Sequence, residues 1–69
     1  MTTLQHTYQL AMEAGDYATR LRHNPAPGNI AGLKKAYRDA LDRMFDLMST
    51  QYLTVGDWNS LASIAQGRD

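Results

Sequence analysis

The chain has 69 residues, no cysteine, and seven basic against seven acidic side chains, so its formal net charge is zero. This length allows one small domain, and the lack of cysteine excludes disulfides and thiolate metal sites as its source of stability. The balanced charge excludes a net field that would draw the chain onto nucleic acid or an anionic membrane. We therefore expect oligomerisation or close helix packing to stabilise the fold.

The first predicted element is a helix over about residues 3–23. Thr2 and Gln5 have the spacing of a capping box, with Thr2 or Thr3 as the cap. Apolar and small side chains then follow at steps of three and four, which is helical spacing. Gly15 costs about 1 kcal/mol relative to alanine inside a helix, which predicts that another part of the chain packs closely against its backbone.

A short connection at residues 24–28, with two prolines, predicts a turn into a second helix at about residues 29–50, capped by Asn29. This helix carries the most sustained apolar stripe, and we expect the rest of the chain to pack around it. A link this short predicts an antiparallel helical hairpin, with Gly15 opposite Tyr37. The residues expected to form its core or a dimer seam are Leu4, Tyr8, Leu10, Ala11, Gly15, Ala18, Leu33, Tyr37, Leu41, Met44 and Met48.

A short third helix is predicted over about residues 55–66. Thr54 and Asp57 fit a second capping box, in which a threonine hydroxyl and an acidic side chain satisfy each other's backbone N–H groups. Gly67 marks the end of this helix. The predicted fold class is therefore all-α, with one small domain made of a helical hairpin and a short third helix.

The hairpin has more apolar surface than one helix pairing uses. At about 100° per residue, the first helix is apolar over roughly 220° and the second over roughly 180°, whereas a helix covered on one side needs little more than about 100°. Trp58, Leu61 and Ile64 cover part of the surplus, and the remainder predicts a homodimer or a partner protein. Phe45 lies at the edge of the second stripe, where either the third helix or a partner covers it.

Charged residues are sorted along the predicted hairpin. The basic residues near the connection are Arg20, Arg22, His23, Lys34, Lys35 and Arg38. Basic residues therefore stand near the start of the second helix, where the helix dipole disfavours positive charge. An arrangement that costs stability favours a charged partner, or an antiparallel dimer in which the basic end of one chain meets the acidic end of the other. The alternative is a solvated face with i,i+4 ladders, Lys35–Asp39–Arg43 and Arg38–Asp42. The residues predicted to bind a partner are Glu13, Asp16, Asp39, Asp42, Asp46 and Phe45.

The sequence contains no recognisable catalytic, metal or nucleotide motif, so we expect a non-enzymatic protein without cofactor, metal ion or small-molecule substrate. His6 and His23 lie too far apart on one helix to share a metal ion, and Gly28 and Gly32 do not form a phosphate loop. Without an aromatic-lined basic groove, nucleic acid is not an expected partner. No apolar run reaches the roughly 20 residues of a membrane span, and no signal peptide is present, so we expect a cytoplasmic protein.

In size, helix order and expected dimer, the chain resembles the small helical proteins with which temperate phages disable host functions, in particular the phage anti-quorum-sensing (anti-activator) proteins. The resemblance covers the whole length. It implies a homodimeric inhibitor in the cytoplasm of a bacterial host. It further implies binding and occlusion of a LuxR-type transcriptional regulator, at its DNA-binding region, and of a type IV pilus assembly ATPase. The acidic residues would then face the basic DNA-binding region.

The connection Asn24-Pro25-Ala26-Pro27 between two helices is similar to that of type III secretion needle subunits and their small helical chaperones. Needle subunits continue as a long polar C-terminal helix, whereas this chain breaks at Thr54 and restarts at Trp58. A needle-like subunit or secretion chaperone is therefore the alternative. A needle-like protein would polymerise, because its contacts are head-to-tail and do not close.

Overall fold

The computed structural model describes residues 2–23 and 27–67. Within those ranges the chain forms three α-helices, which confirms the predicted all-α class. The helices are α1 (Thr3–Arg22), α2 (Ile30–Ser49) and α3 (Val55–Ala65), and a 3-10 turn at Pro27–Asn29 precedes α2. Every helix boundary lies within one residue of its predicted position, while residues 24–26 of the predicted connection lie outside the described residues.

Both predicted capping boxes form. At α1, Thr2 Oγ1 accepts from the Gln5 N–H at 3.1 Å, and Gln5 Oε1 accepts from the Thr2 N–H at 3.0 Å. At α3, Thr54 and Asp57 make the equivalent pair at 3.1 and 3.4 Å. These bonds satisfy N–H groups that the first turn of a helix leaves without a partner. Asn29 stands at the cap position of α2 but makes no side-chain capping bond, because the 3-10 turn leads into the helix with Asn29 already in helical conformation.

Helix α1 packs against both α2 and α3, so it is the central element of the fold. Toward α3, Tyr8 Oη donates to Asp57 Oδ1 at 3.3 Å. Toward the end of α2, Thr7 Oγ1 accepts from Gln51 Nε2 at 2.6 Å. Contact on two sides explains why α1 is apolar over a wider arc than a helix that is covered from one side. The expectation that the chain packs around the second helix is therefore wrong.

Gly15 is buried where the backbones of α1 and α3 meet. A Cβ built on it would overlap the Ile64 carbonyl oxygen and would lie 3.5 Å from Gly67 Cα. The predicted close approach to Gly15 is confirmed, but the expectation that Tyr37 provides it is wrong. The cause is the third helix, which lies against this side of α1 and brings its own backbone to the glycine.

The end of α3 is held against the end of α1. Gly67 adopts a φ of +78°, a left-handed conformation that favours glycine, and its N–H donates to the Ile64 carbonyl at 3.0 Å. The Gly67 carbonyl accepts from Arg22 Nη2 at 3.3 Å. The predicted stop of the helix near Gly67 is confirmed, and the same residue fixes the chain against α1.

The core is one cluster of buried side chains from all three helices. It combines large residues with alanines, which lets the helix axes approach closely without leaving voids. Its members are Leu10, Ala11, Ala14, Ala40, Met44, Met48, Leu61 and Ala65. Of the other residues predicted for the core or seam, Gly15 is buried, Leu4 is exposed, and the half-buried ones are Tyr8, Ala18, Leu33, Tyr37 and Leu41.

We expect Gly15→Ala to lower the free energy of unfolding by about 2 kcal/mol, because the new methyl group forces the backbones of α1 and α3 apart. The matched control is Gly32→Ala in α2, where a Cβ meets nothing within 4 Å. That substitution is expected to raise the free energy of unfolding by about 0.5 kcal/mol, through helix propensity alone. Urea denaturation followed by circular dichroism measures both values. A Gly15→Ala protein as stable as the Gly32→Ala protein would contradict the close contact.

Candidate interaction surface

The candidate site is a shallow groove on the outer side of α2, which we call the α2 groove. Its volume is about 630 Å³. Among the described residues, those that line it all belong to α2, so the groove runs along the surface of this helix. The residues that line it are Lys34, Lys35, Tyr37, Arg38, Leu41, Asp42 and Phe45.

The floor of the α2 groove is the row Tyr37, Leu41 and Phe45, in which each residue follows the last by four. A step of four in an α-helix advances about 400°, so each member lies about 40° further round the helix than the one before. Tyr37 and Leu41 remain half-buried against the core, whereas Phe45 is 50% exposed. Of the two alternatives predicted for Phe45, cover by α3 is wrong, because α3 packs on α1 and leaves Phe45 half-exposed.

The rim of the α2 groove consists of exposed charged side chains. Within the described residues, neither the Lys35–Asp39–Arg43 ladder nor the Arg38–Asp42 pair closes to ion-pair distance, so both predicted ladders are absent. By contrast, Arg20 Nη2 and Asp16 Oδ2 on α1 form an i,i+4 ion pair at 3.1 Å. The charges of the α2 groove are therefore available to an external partner.

The structure distributes the residues predicted to bind a partner over three grooves. Asp42 and Phe45 line the α2 groove. Asp16 lines a groove of about 550 Å³ between α1 and the end of α3. Asp39 is exposed and lines none of the three. A further groove between α1 and α2 is lined by His6, Leu10, Glu13, Arg43, Asp46 and Leu47.

Asp39, Asp42 and Asp46 follow one another at steps of three and four along α2, so these exposed carboxylates share one side of that helix. Of the predicted acidic residues, only Glu13 and Asp46 line the same groove, and Arg43 lies beside them. Lys34, Tyr37 and Arg38 also line the α2 groove, although none of them was predicted to bind a partner. The signal for such a site was the apolar row at steps of four, which turns progressively away from the core.

A metal site and a membrane span each place requirements on the described residues. None of their His, Asp and Glu side chains is arranged in a group of three or more that could hold a metal ion. None of the described helices has both the length and the apolar character that crossing a membrane requires. No protein-family model, curated protein or solved structure matches the chain.

Two adjacent substitutions distinguish the core side of α2 from the α2 groove. Met44 is 1% exposed, so Met44→Ala is expected to lower the free energy of unfolding by about 3 kcal/mol through the cavity it leaves. Phe45→Ala is expected to cost less than about 1 kcal/mol, since half of that side chain already contacts water. Chemical denaturation of the two variants measures the difference. Equal losses of stability would show that Phe45 belongs to the core and that the α2 groove is not a free surface.

Proposed function

We propose that this chain is a non-enzymatic protein-binding module whose contact surface is the α2 groove. The observation that carries the proposal is the half-exposed ring of Phe45, which continues the Tyr37–Leu41 row beside Arg38. Aromatic and arginine side chains are enriched among the residues that dominate binding energy at protein interfaces. An aromatic anchor with a charged rim is the composition expected of such a surface.

The binding energy comes mainly from the apolar row. Covering apolar surface contributes about 25 cal/mol per Å², so burial of the exposed part of Phe45 contributes on the order of 1–2 kcal/mol. The charges at the rim, such as Arg38, act mainly on the rate and the orientation of association. Phe45 is therefore the expected hot spot, and Arg38 is the residue expected to select among partners.

The proposed arrangement is an antiparallel hairpin of α1 and α2, with α3 running in the same direction as α1. The bond between Thr7, near the start of α1, and Gln51, just after α2, supports the antiparallel pairing. The contacts of α3 with Tyr8 near its start and with Gly15 near its end support the direction of α3. This arrangement leaves the outer side of α2 to a partner.

We include a homodimer in the proposal, with its interface outside the α2 groove. Large apolar side chains that are exposed elsewhere on the chain support it, with Met12 at 63%, Val55 at 77% and Trp58 at 44% exposure. A chain of this length buries only a small share of its own apolar surface. Dimerisation would cover part of the remaining exposed apolar surface and would supply the additional stabilisation that small domains need.

The proposed mechanism is stoichiometric occlusion of a functional surface on another protein. The host targets that the phage resemblance implies, a LuxR-type regulator and a type IV pilus assembly ATPase, remain the proposed partners. In this proposal the partner is held by Phe45 in the α2 groove, and Glu13 and Asp46, which line a groove between α1 and α2, supply a second contact for a basic DNA-binding region. Loss of the Phe45 anchor therefore weakens capture even though the acidic contact remains.

Phe45→Ala tests this function by affinity capture. The substitution removes the anchor, so we expect the tagged variant to lose the proteins that the unmodified chain captures from a bacterial lysate. Tyr52→Ala is the matched control, because Tyr52 is a fully exposed aromatic residue outside the α2 groove. It is expected to retain the captured proteins, which mass spectrometry identifies.

Capture of the same proteins in the same amounts by the Phe45→Ala variant would contradict the proposed surface. Light scattering over a range of concentrations accompanies the capture. The proposal predicts a small closed oligomer of constant mass for all three proteins. A mass that grows with concentration would contradict it and would favour a needle-like subunit.

A further inference from the structure

We propose that the occupant of the α2 groove is an acidic amphipathic helix, a partner segment with apolar residues on one face and Asp or Glu beside them. This inference rests on the proposed function and names the chemistry of the partner. Three features of the groove support it. They are its charge balance, the position of its cations along α2, and the spacing of its apolar row.

The charge balance of the α2 groove is positive although the whole chain is neutral. Among the lining residues, Lys34, Lys35 and Arg38 carry three positive charges against one negative charge on Asp42, a balance of +2, and it falls to +1 when the neighbouring exposed Asp39 is included. Within the described part of the chain, none of the four charged lining residues forms an ion pair. A negatively charged partner would therefore meet cations that need not first be released from another carboxylate.

The start of α2 contains cations but no acidic side chain. The first turn of α2 has no acidic residue, and Asn29 makes no side-chain capping bond. Lys34 and Lys35 follow directly in the second turn. A carboxylate from a partner would therefore meet no acidic side chain of α2 at this end of the groove.

The apolar row has the dimensions of a helix contact. From Tyr37 to Phe45 the helix rises about 12 Å, at about 1.5 Å per residue, which matches apolar positions i, i+4 and i+7 or i+8 of a second helix. The backbone N–H groups along this stretch bond within α2, so the groove offers no free edge for an added strand. A helix that packs its ridges alongside α2 is the occupant this surface fits.

Nucleic acid fits the α2 groove less well than an acidic helix. Asp42 lies between the cations and Phe45 in sequence and would face phosphates, whereas it would pair with a Lys or Arg on a peptide. The partner helix is therefore expected to carry its acidic residues toward the Lys34 end of the groove and a basic residue near Asp42. This order of charges determines which end of the partner helix lies at the Lys34 end of the groove.

The experiment uses two fluorescein-labelled synthetic peptides of about 18 residues, long enough to form helix on binding. Both carry Leu at i, i+4 and i+7, and they differ only in having Glu or Lys at the flanking positions. Fluorescence anisotropy with the full chain is expected to give about tenfold tighter binding of the Glu peptide at low salt, with the preference shrinking as salt screens the charges. A Lys peptide that binds as tightly as the Glu peptide would overturn the proposal.

Charge-reversed variants locate the effect. Arg38→Glu is expected to remove most of the preference for the Glu peptide. Arg43→Glu makes the same change in charge on the same helix, but Arg43 lines the groove between α1 and α2 and not the α2 groove. This substitution is expected to change the affinity less than about twofold. Equal effects of the two substitutions would overturn the proposal, since the attraction would then come from net charge and not from the α2 groove.

Other occupants give distinct results. Phe45→Ala is expected to weaken both peptides. If it weakens them while the Glu and Lys peptides bind equally well, the protein-binding function stands and the acidic partner is wrong. If it has no effect on either peptide, the proposed function itself fails. Two further results would overturn the proposal. One is a labelled DNA duplex that binds through Arg38 while the peptides do not bind. The other is a change of solution mass in the Arg38→Glu variant, which would show that a second copy of the chain occupies the groove.

Discussion

The contact between the backbones of Gly15 in α1 and Ile64 in α3 determines how the rest of this molecule is arranged. Only a residue without a Cβ allows the Ile64 carbonyl oxygen to come so close to α1. The contact is extended by the hydrogen bond from Tyr8 to Asp57 at one end and by the bond from Arg22 to Gly67 at the other. Together they hold the short third helix along the first over most of its length.

The position of α3 decides which surface remains open. Because α3 contacts α1, its buried Leu61 reaches the shared core from that side, and the outer side of α2 stays uncovered. The Tyr37–Leu41–Phe45 row then turns away from the core and leaves Phe45 half-exposed, beside charges that form no ion pair within the described residues. The same packing that stabilises a small chain thus produces the surface on which the proposed function depends.

Local features of this structure could be predicted from the sequence. The capping boxes at Thr2 and Thr54 depend on side chains three residues apart, and the helix boundaries follow from them and from Gly67. The burial of Met44 and Met48 follows from the apolar stripe of α2. The close approach at Gly15 was also predictable, because a glycine that weakens a helix needs a compensating contact.

The identity of non-local partners could not be predicted in the same way. Helical spacing shows that α1 is apolar on two sides but does not say which helix lies on which side, so Gly15 was paired with Tyr37 in place of Ile64. The charged ladders failed for a related reason. Exposed i,i+4 pairs gain only about 0.3–0.5 kcal/mol, too little for spacing alone to predict that they form. The exposure of Phe45 follows from the position of α3 and therefore could not be derived before it.

The central claim, that partners bind along the outer side of α2, is tested most directly by NMR shift mapping. The backbone amides of the full chain are assigned, and the Glu peptide or a captured host protein is then titrated into the sample. The account predicts that the largest shifts lie along Tyr37, Leu41 and Phe45, with little change around Gly15 and Ile64. Shifts concentrated between α1 and α3, with the α2 groove unaffected, would contradict it.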